Sequence, residues 1–427
     1  MNFQRGVKIE PLRVLIVNSL SPAAQLIVVK ILSGQVFGRR QLVDVVLLVY
    51  SNEVAKADGL KLELERCALE CTNSIKVSSD LPSVSDADVF CFVTNFANPN
   101  ILDLERMDNV EQFDTLYLII KIANNLRGPV KEEKPDETSE KYVKFRRKNI
   151  LPEKKARKPI FIADGLVPID ILMSLSKNLP SDVFFCPTPI PAIAKSVLGD
   201  HLKVQCSVLN DVLVWAASDE VFHIEFEKPL IIHDRVDGAS CDWDMIGKDM
   251  LASFNLDHTQ FSASWMKKDL IEKALALSKK NPYGHIYKAA AFTKTLKDIW
   301  KTRLNNKIKF YTNMGVISDG SLETIKGCPY VLPIVFNDDT WSVNKRLEED
   351  THLKQELKRI NKTVKAVHSK LLSFCKKFLE QNVINQAFIT AGEEEESEES
   401  VYSPCMINDS SRPSFNFTQS STIFNIP

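Results

Sequence analysis

Residues Val14–Gly38 read VLIVNSLSPAAQLIVVKILSGQVFG, and no other stretch constrains the fold as strongly. The opening VLIV carries no charge, as suits a strand covered on both faces. Small and polar residues then turn the chain, and from Pro22 an apolar stripe recurs at helical spacing. A strand passing straight into a helix is the first half of a parallel crossover unit. The turn itself, Asn18-Ser19-Leu20-Ser21-Pro22-Ala23-Ala24, contains no glycine. It can still form, because Ser21 followed by Pro22 reads as an N-cap with proline at the first helical position. Asn18 also tolerates left-handed dihedrals better than most residues.

The same alternation continues along the first part of the chain. Apolar runs at Leu12–Val17, Val43–Tyr50, Val89–Val93 and Ile160–Ala163 alternate with helical spacing over Pro22–Leu32, Ala55–Cys71 and Val110–Asn125. This predicts an α/β architecture: a Rossmann-type doubly wound parallel sheet over residues 1–165, interrupted by a charged insertion at 128–159. The insertion's basic half holds Lys144, Arg146, Arg147, Lys148, Lys154, Lys155, Arg157 and Lys158. A solvated loop is expected there, with docking of an acidic protein partner as the alternative.

Over 166–390 a mixed α/β domain is expected. Its strands are read at Leu213–Trp215, His223–Phe226 and Leu230–His233, and a small antiparallel sheet at Phe310–Val316, Tyr330–Phe336 and Thr340–Val343. Helices are read at Lys248–Lys279 and Gly284–Trp300. A long final helix is striped by Leu353, Leu357, Ile360, Val364, Val367, Leu371, Phe374 and Phe378. Residues 391–427, acidic and then Ser-rich, form an expected disordered tail.

A net charge of −1 gives no electrostatic reason to bind nucleic acid or an anionic membrane surface. No apolar run approaches the ~20 residues of a membrane span, and the first residues, MNFQRGVKIEPLRV, lack a signal or transit pattern. The nine cysteines are odd in number and show no zinc-site spacing. Cys67, Cys91, Cys186 and Cys206 sit in apolar segments. A cytoplasmic protein with reduced thiols and no metal is expected.

Leu296–Trp300 (LKDIW), Met314–Gly320 (MGVISDG) and Leu332–Trp341 (LPIVFNDDTW) closely resemble the C-terminal part of the lactate/malate dehydrogenase family, in its cytosolic-type malate dehydrogenase branch. Ser33–Gly38 (SGQVFG) and Leu62–Leu69 (LELERCAL) look like that family's first βα unit and following helix. The acidic tail and glycine-free turn make the chain resemble a divergent paralogue of that branch. The resemblance implies a Rossmann NAD domain, a mixed α/β catalytic domain, a homodimer, and interconversion of malate and oxaloacetate by hydride transfer to NAD.

Each part of that chemistry needs particular groups. Pyrophosphate needs backbone N–H groups at a helix N-terminus, left bare by glycines. Asn18, Ser21 and Ala24 fall at the cofactor-binding glycine and small-residue positions, which argues against tight binding. The ribose-binding carboxylate position falls at Val49. Proton transfer needs an imidazole oriented by a carboxylate, and the corresponding residues are Ser218 and Ile190. Leu256-Asp257-His258 copies the family's tripeptide but lies after Trp215 instead of before it, and His233-Asp234 is similarly displaced. Of the substrate-binding arginines, the first maps near Asn98–Asn100. The second is Leu104 without a gap, or Arg106 with a two-residue insertion, which we favour. The family's asparagine after the fourth strand falls near Gly165 and Leu166.

Without its base, the orienting acid, an arginine and two cofactor contacts, useful turnover is not expected. A non-catalytic binding or structural protein is expected instead. A weak or altered dehydrogenase using Arg106 with His233 or His258 is one alternative, and a nucleotide sensor without catalysis is another.

Overall fold

A computed structural model describes residues 10–79, 87–96, 98–101, 110–126, 158–202, 205–206, 212–226, 268, 272–273, 276, 284–304, 310–337, 340–345 and 348–390. It opens with strand β1 (Leu12–Val17) running into helix α1 (Pro22–Leu32), both with the bounds expected from the sequence. There follow β2 (Val43–Leu48), α2 (Val54–Arg66), β3 (Thr72–Ser78), β4 (Val89–Phe92), α3 (Val110–Asn125) and β5 (Ile160–Ala163). Next come α4 (Leu166–Leu175), β6 (Phe184–Cys186), α5 (Ile190–Leu202), β7 (Val212–Ala216) and β8 (Phe222–Phe226). The described elements end with α6 (His285–Leu304), β9 (Phe310–Ile317), β10 (Pro329–Asn337), β11 (Thr340–Val343) and α7 (Thr351–Thr390).

The described strands form one eleven-stranded sheet in the order β3-β2-β1-β4-β5-β6-β9-β10-β7-β8, with β11 paired to β10. The first six run parallel in the 3-2-1-4-5-6 order of a doubly wound dinucleotide-binding fold. β6 then meets β9 antiparallel. The strands expected to make a separate small sheet, β9 to β11, therefore extend the main one. β4 and β5 are buried throughout, which is why they read as continuous apolar runs.

Four elements have no counterpart in the sequence expectations, among them α5, whose start at Ile190 lies in a proline-containing stretch. β3 is a polar edge strand in which Ile75 is the buried residue, so it shows no apolar run. β6 is three residues long. Helix α4 is apolar nearly all round, with Leu166 to Leu172 buried, so it lacks an amphipathic stripe. Expected features at Leu230–His233 and most of those at Lys248–Lys279 and 128–159 lie outside the described residues, as do Arg106, His233, His258, Cys241 and Cys405. Lys158, which is described, pairs with Asp182 at 2.6 Å.

Two further expectations are corrected. Cys67, at the C-terminal end of α2, and Cys206 are exposed, whereas Cys71, Cys91, Cys186, Cys328 and Cys375 are buried. Val367, within the expected apolar stripe of α7, is 44% exposed, and Phe374 is half-buried. Leu371 and Cys375 carry the buried face there. Among the described residues no helix is long and apolar enough to cross a membrane.

Candidate functional site

In a sheet of this order, ligands lie beyond the C-terminal strand ends, in the crevice where chain order reverses between β1 and β4. Asn18, the first residue after β1, has φ 57°. Its side-chain amide donates to the Val93 carbonyl and to Asn95 Oδ1, both at 3.1 Å. One carboxamide thus ties the turn after β1 to the segment after β4. Ser21 donates its backbone N–H to the Asn18 carbonyl at 3.1 Å, and its hydroxyl caps α1 by accepting from the Ala24 N–H at 3.3 Å. Ala24 is wholly buried. Asn18, Ser21 and Ala24 are therefore parts of one turn. At the end of β2, Val49 is buried, and its N–H donates to the Ser78 carbonyl at 3.1 Å.

The segment after β4 is laid onto the start of α4. The Leu166 N–H donates to Asn100 Oδ1 at 3.0 Å, and the Val167 N–H to the Pro99 carbonyl at 3.1 Å. Gly165 allows this approach, since a Cβ there would overlap the Pro99 backbone. The first N–H groups of α4, which would otherwise suit an anion, already have partners.

Behind this contact lies a buried polar cluster that the sequence reading did not single out. Asp164, just past β5, accepts from the N–H and the hydroxyl of Thr94, both at 2.9 Å. Burial lifts its carboxyl pKa to about 6, against the opposing pull of Lys288 and the Thr94 bonds. Its other oxygen has no hydrogen-bond partner. Lys288, in the first turn of α6, donates to the Phe96 carbonyl at 2.6 Å, and burial lowers its ammonium pKa while Asp164 opposes that shift. The neighbouring Tyr287 hydroxyl is buried and without a partner, and burial together with the Asp219 charge pushes its pKa up. A carboxylate directly after the apolar run of β5 was the available sequence signal, because strand ends of this kind are where a doubly wound sheet binds ligands.

Ser218, expected at the imidazole position, lies in the turn joining β7 to β8. Its hydroxyl accepts from the N–H groups of Glu220 and Val221, both at 3.2 Å, and so closes the turn. The next residue, Asp219, reaches the segment after β4: the Asn100 amide donates to both its oxygens at 3.1 Å. Burial raises the Asp219 pKa, and hydrogen bonds from Asn100 and Asn98 oppose this. Ile190, at the orienting-acid position, is the first residue of α5 and is buried.

One imidazole does pair with a buried carboxylate. His368 Nδ1 on α7 lies 2.8 Å from Asp170 Oδ1 on α4, and the Ser174 hydroxyl donates to the same oxygen at 3.2 Å. The Asp170 hydrogen bond raises the His368 pKa despite partial burial. Asp170, His368, Asn100 and Ala217 border a cavity of about 20 Å³, room for roughly one water.

No family model matches the chain. Cytoplasmic malate dehydrogenase of Gallus gallus is 24% identical over 341 residues, spanning 78% of this chain and 88% of that one. Among solved structures, malate dehydrogenase from Naegleria fowleri superposes with a TM-score of 0.59 at 11% identity, covering 86% of this chain and 99% of that one. Trichomonas vaginalis lactate dehydrogenase in complex with NADH and oxamate gives 0.61 at 15% identity, with the same coverage. In sequence the chain is thus similar to cytoplasmic malate dehydrogenases, and with its parallel 3-2-1-4-5-6 sheet it shares the fold of the lactate/malate dehydrogenases.

Proposed function

We propose that this malate dehydrogenase-like protein does not carry out its relatives' hydride transfer and acts as a non-catalytic binding or structural protein, assembled as a homodimer. The reading includes a division into a Rossmann-like part (1–165), a catalytic-type part (166–390) and a tail (391–427). The observation that carries it is the Asn18 carboxamide bonded across the β1/β4 crevice, where a dinucleotide would lie. Three other features support it. Val49 offers no acceptor for ribose hydroxyls, the first N–H groups of α4 are occupied, and Ser218 is a turn-closing hydroxyl unable to serve as a base at neutral pH. The residues present do not fit NAD, and no catalytic step is derived through it. The insertion and the tail remain candidate protein-docking segments.

The test uses the purified full chain with NADH and oxaloacetate, alongside calorimetric titration with NADH and NAD. Oxidation at the rate of a buffer blank and no heat at millimolar nucleotide are expected. Turnover well above the blank overturns the proposal, and heat without turnover replaces it with the nucleotide-sensor reading.

The His368–Asp170 pair beside Asn100 favours a second reading, a weak or altered 2-hydroxy-acid dehydrogenase with a displaced base. Here His368→Gln is informative. It leaves a blank rate unchanged under the first reading and abolishes a measurable one under the second.

A further inference from the structure

The edge strand β8 and the first turn of α7 bring together three side chains that the proposed function does not use. His223 and Glu225 are two residues apart on β8, so they share one face of the strand. His352 is the second residue of α7. One ligating atom from each of the three lies within 4.8 Å of the others. The His223 and His352 rings are 5.2 Å apart between centroids, at 56° to one another.

The surroundings hold this arrangement in place. His223 is cross-strand partner to Trp215 on β7, with ring centroids 5.9 Å apart, and its side chain is 3% exposed. It cannot swing away without leaving the core. Asp350 Oδ1 accepts from the N–H groups of His352 and Leu353 at 2.7 and 2.9 Å, which fixes the start of α7. Two turns on, Arg359 donates to the Phe222 carbonyl of β8 at 2.8 Å. Its charge is met by Glu356, also at 2.8 Å. The cap fixes the start of the helix, and the Arg359 bond ties that helix to the strand.

We propose that His223, Glu225 and His352 form a binding site for one divalent late-transition-metal ion of the zinc class, clasping the start of α7 to the edge of the sheet. Two imidazoles and one carboxylate are the donors such ions prefer, whereas calcium and magnesium require oxygen sets. His223 Nε2 and Glu225 Oε1 are already 2.7 Å apart around a shared proton, and the ion takes that proton's place. Ligand bonds of about 2.0–2.2 Å need the donors closer together than 4.8 Å. Glu225 and His352 are accessible enough to close this gap by side-chain rotation, while His223 stays fixed. Three protein donors leave the fourth tetrahedral position of such an ion to solvent. This inference is independent of whether the protein turns over oxaloacetate.

The experiment titrates the metal-stripped full chain with Zn²⁺ and separately with Ni²⁺, following binding by calorimetry and thermal unfolding. One ion per chain and a rise in Tm are expected, since the ion joins two elements only in the folded state. His352→Ala, at an exposed position, and Glu225→Gln are expected to weaken binding at least tenfold and to cancel the rise, with metal-free Tm close to that of the parent. Cys67 and Cys206, the exposed thiols among the described residues, are unchanged in all three proteins, so the ion lost between parent and variants isolates the clasp. Superimposable isotherms for parent and variants overturn the proposal, as does a parent that binds no ion at micromolar metal.

Discussion

Asn18 shows how one residue can keep a turn while filling a crevice. An L-residue at φ 57° pays a left-handed penalty of about 1–2 kcal/mol, and asparagine bears it better than most. The side chain offsets that cost through two hydrogen bonds across the sheet's reversal point, each contributing about 1 kcal/mol. Asn18→Ala loses both advantages and is expected to destabilise by about 2–3 kcal/mol. Asn18→Gly loses the bonds but gains freedom at positive φ, so about 1 kcal/mol is expected. Denaturant unfolding of the two variants checks this ordering. Asn18, Ser21 and Ala24 were legible in the sequence because turn chemistry is local. Asp164, Lys288 and Asp219 were not, because their roles come from the Thr94, Phe96 and Asn100 groups they meet through folding.

Elements were legible where burial is two-sided or periodic. β1, α1, α3 and β5 have the bounds their residues predict, since continuous apolar runs and a capped amphipathic stripe state their environment directly. β3 and α4 were missed because an edge strand need not be apolar and a fully buried helix need not be striped. The junction of β6 with β9, where the parallel part of the sheet meets the antiparallel part, depends on close contact between Cys186 and Gly315. A Cβ at Gly315 would collide with the Cys186 sulfur. Gly315→Ala is expected to cost about 3 kcal/mol. The double variant with Cys186→Ala should recover most of that loss, a favourable coupling readable from a denaturation cycle of parent, singles and double.

At the scale of the whole molecule, stability should depend on pH through the pair that joins α7 to α4. The folded His368 pKa is raised, chiefly by its hydrogen bond to Asp170. Its contribution is therefore complete below the ordinary imidazole value of about 6.5 and is lost as pH rises through the folded value. The Tm gap between parent and His368→Ala is expected to be wider at about pH 6 than at about pH 9, by differential scanning calorimetry at both. A gap that widens toward alkaline pH contradicts the pairing. Neither this pair nor the His223–Glu225–His352 cluster could be foreseen. Their members lie 198 residues apart in one case and on β8 and α7 in the other, and spacing along the chain carries no signal at that range. The sequence by itself determined the parallel α/β architecture, the form of the β1–α1 turn and the family likeness, because apolar periodicity and turn residues act over a few positions. Only the tertiary structure decided that β9–β11 extend the main sheet, that polar side chains bridge its crevice, and which imidazoles meet which carboxylates. Those outcomes depend on what distant segments bring within hydrogen-bonding distance.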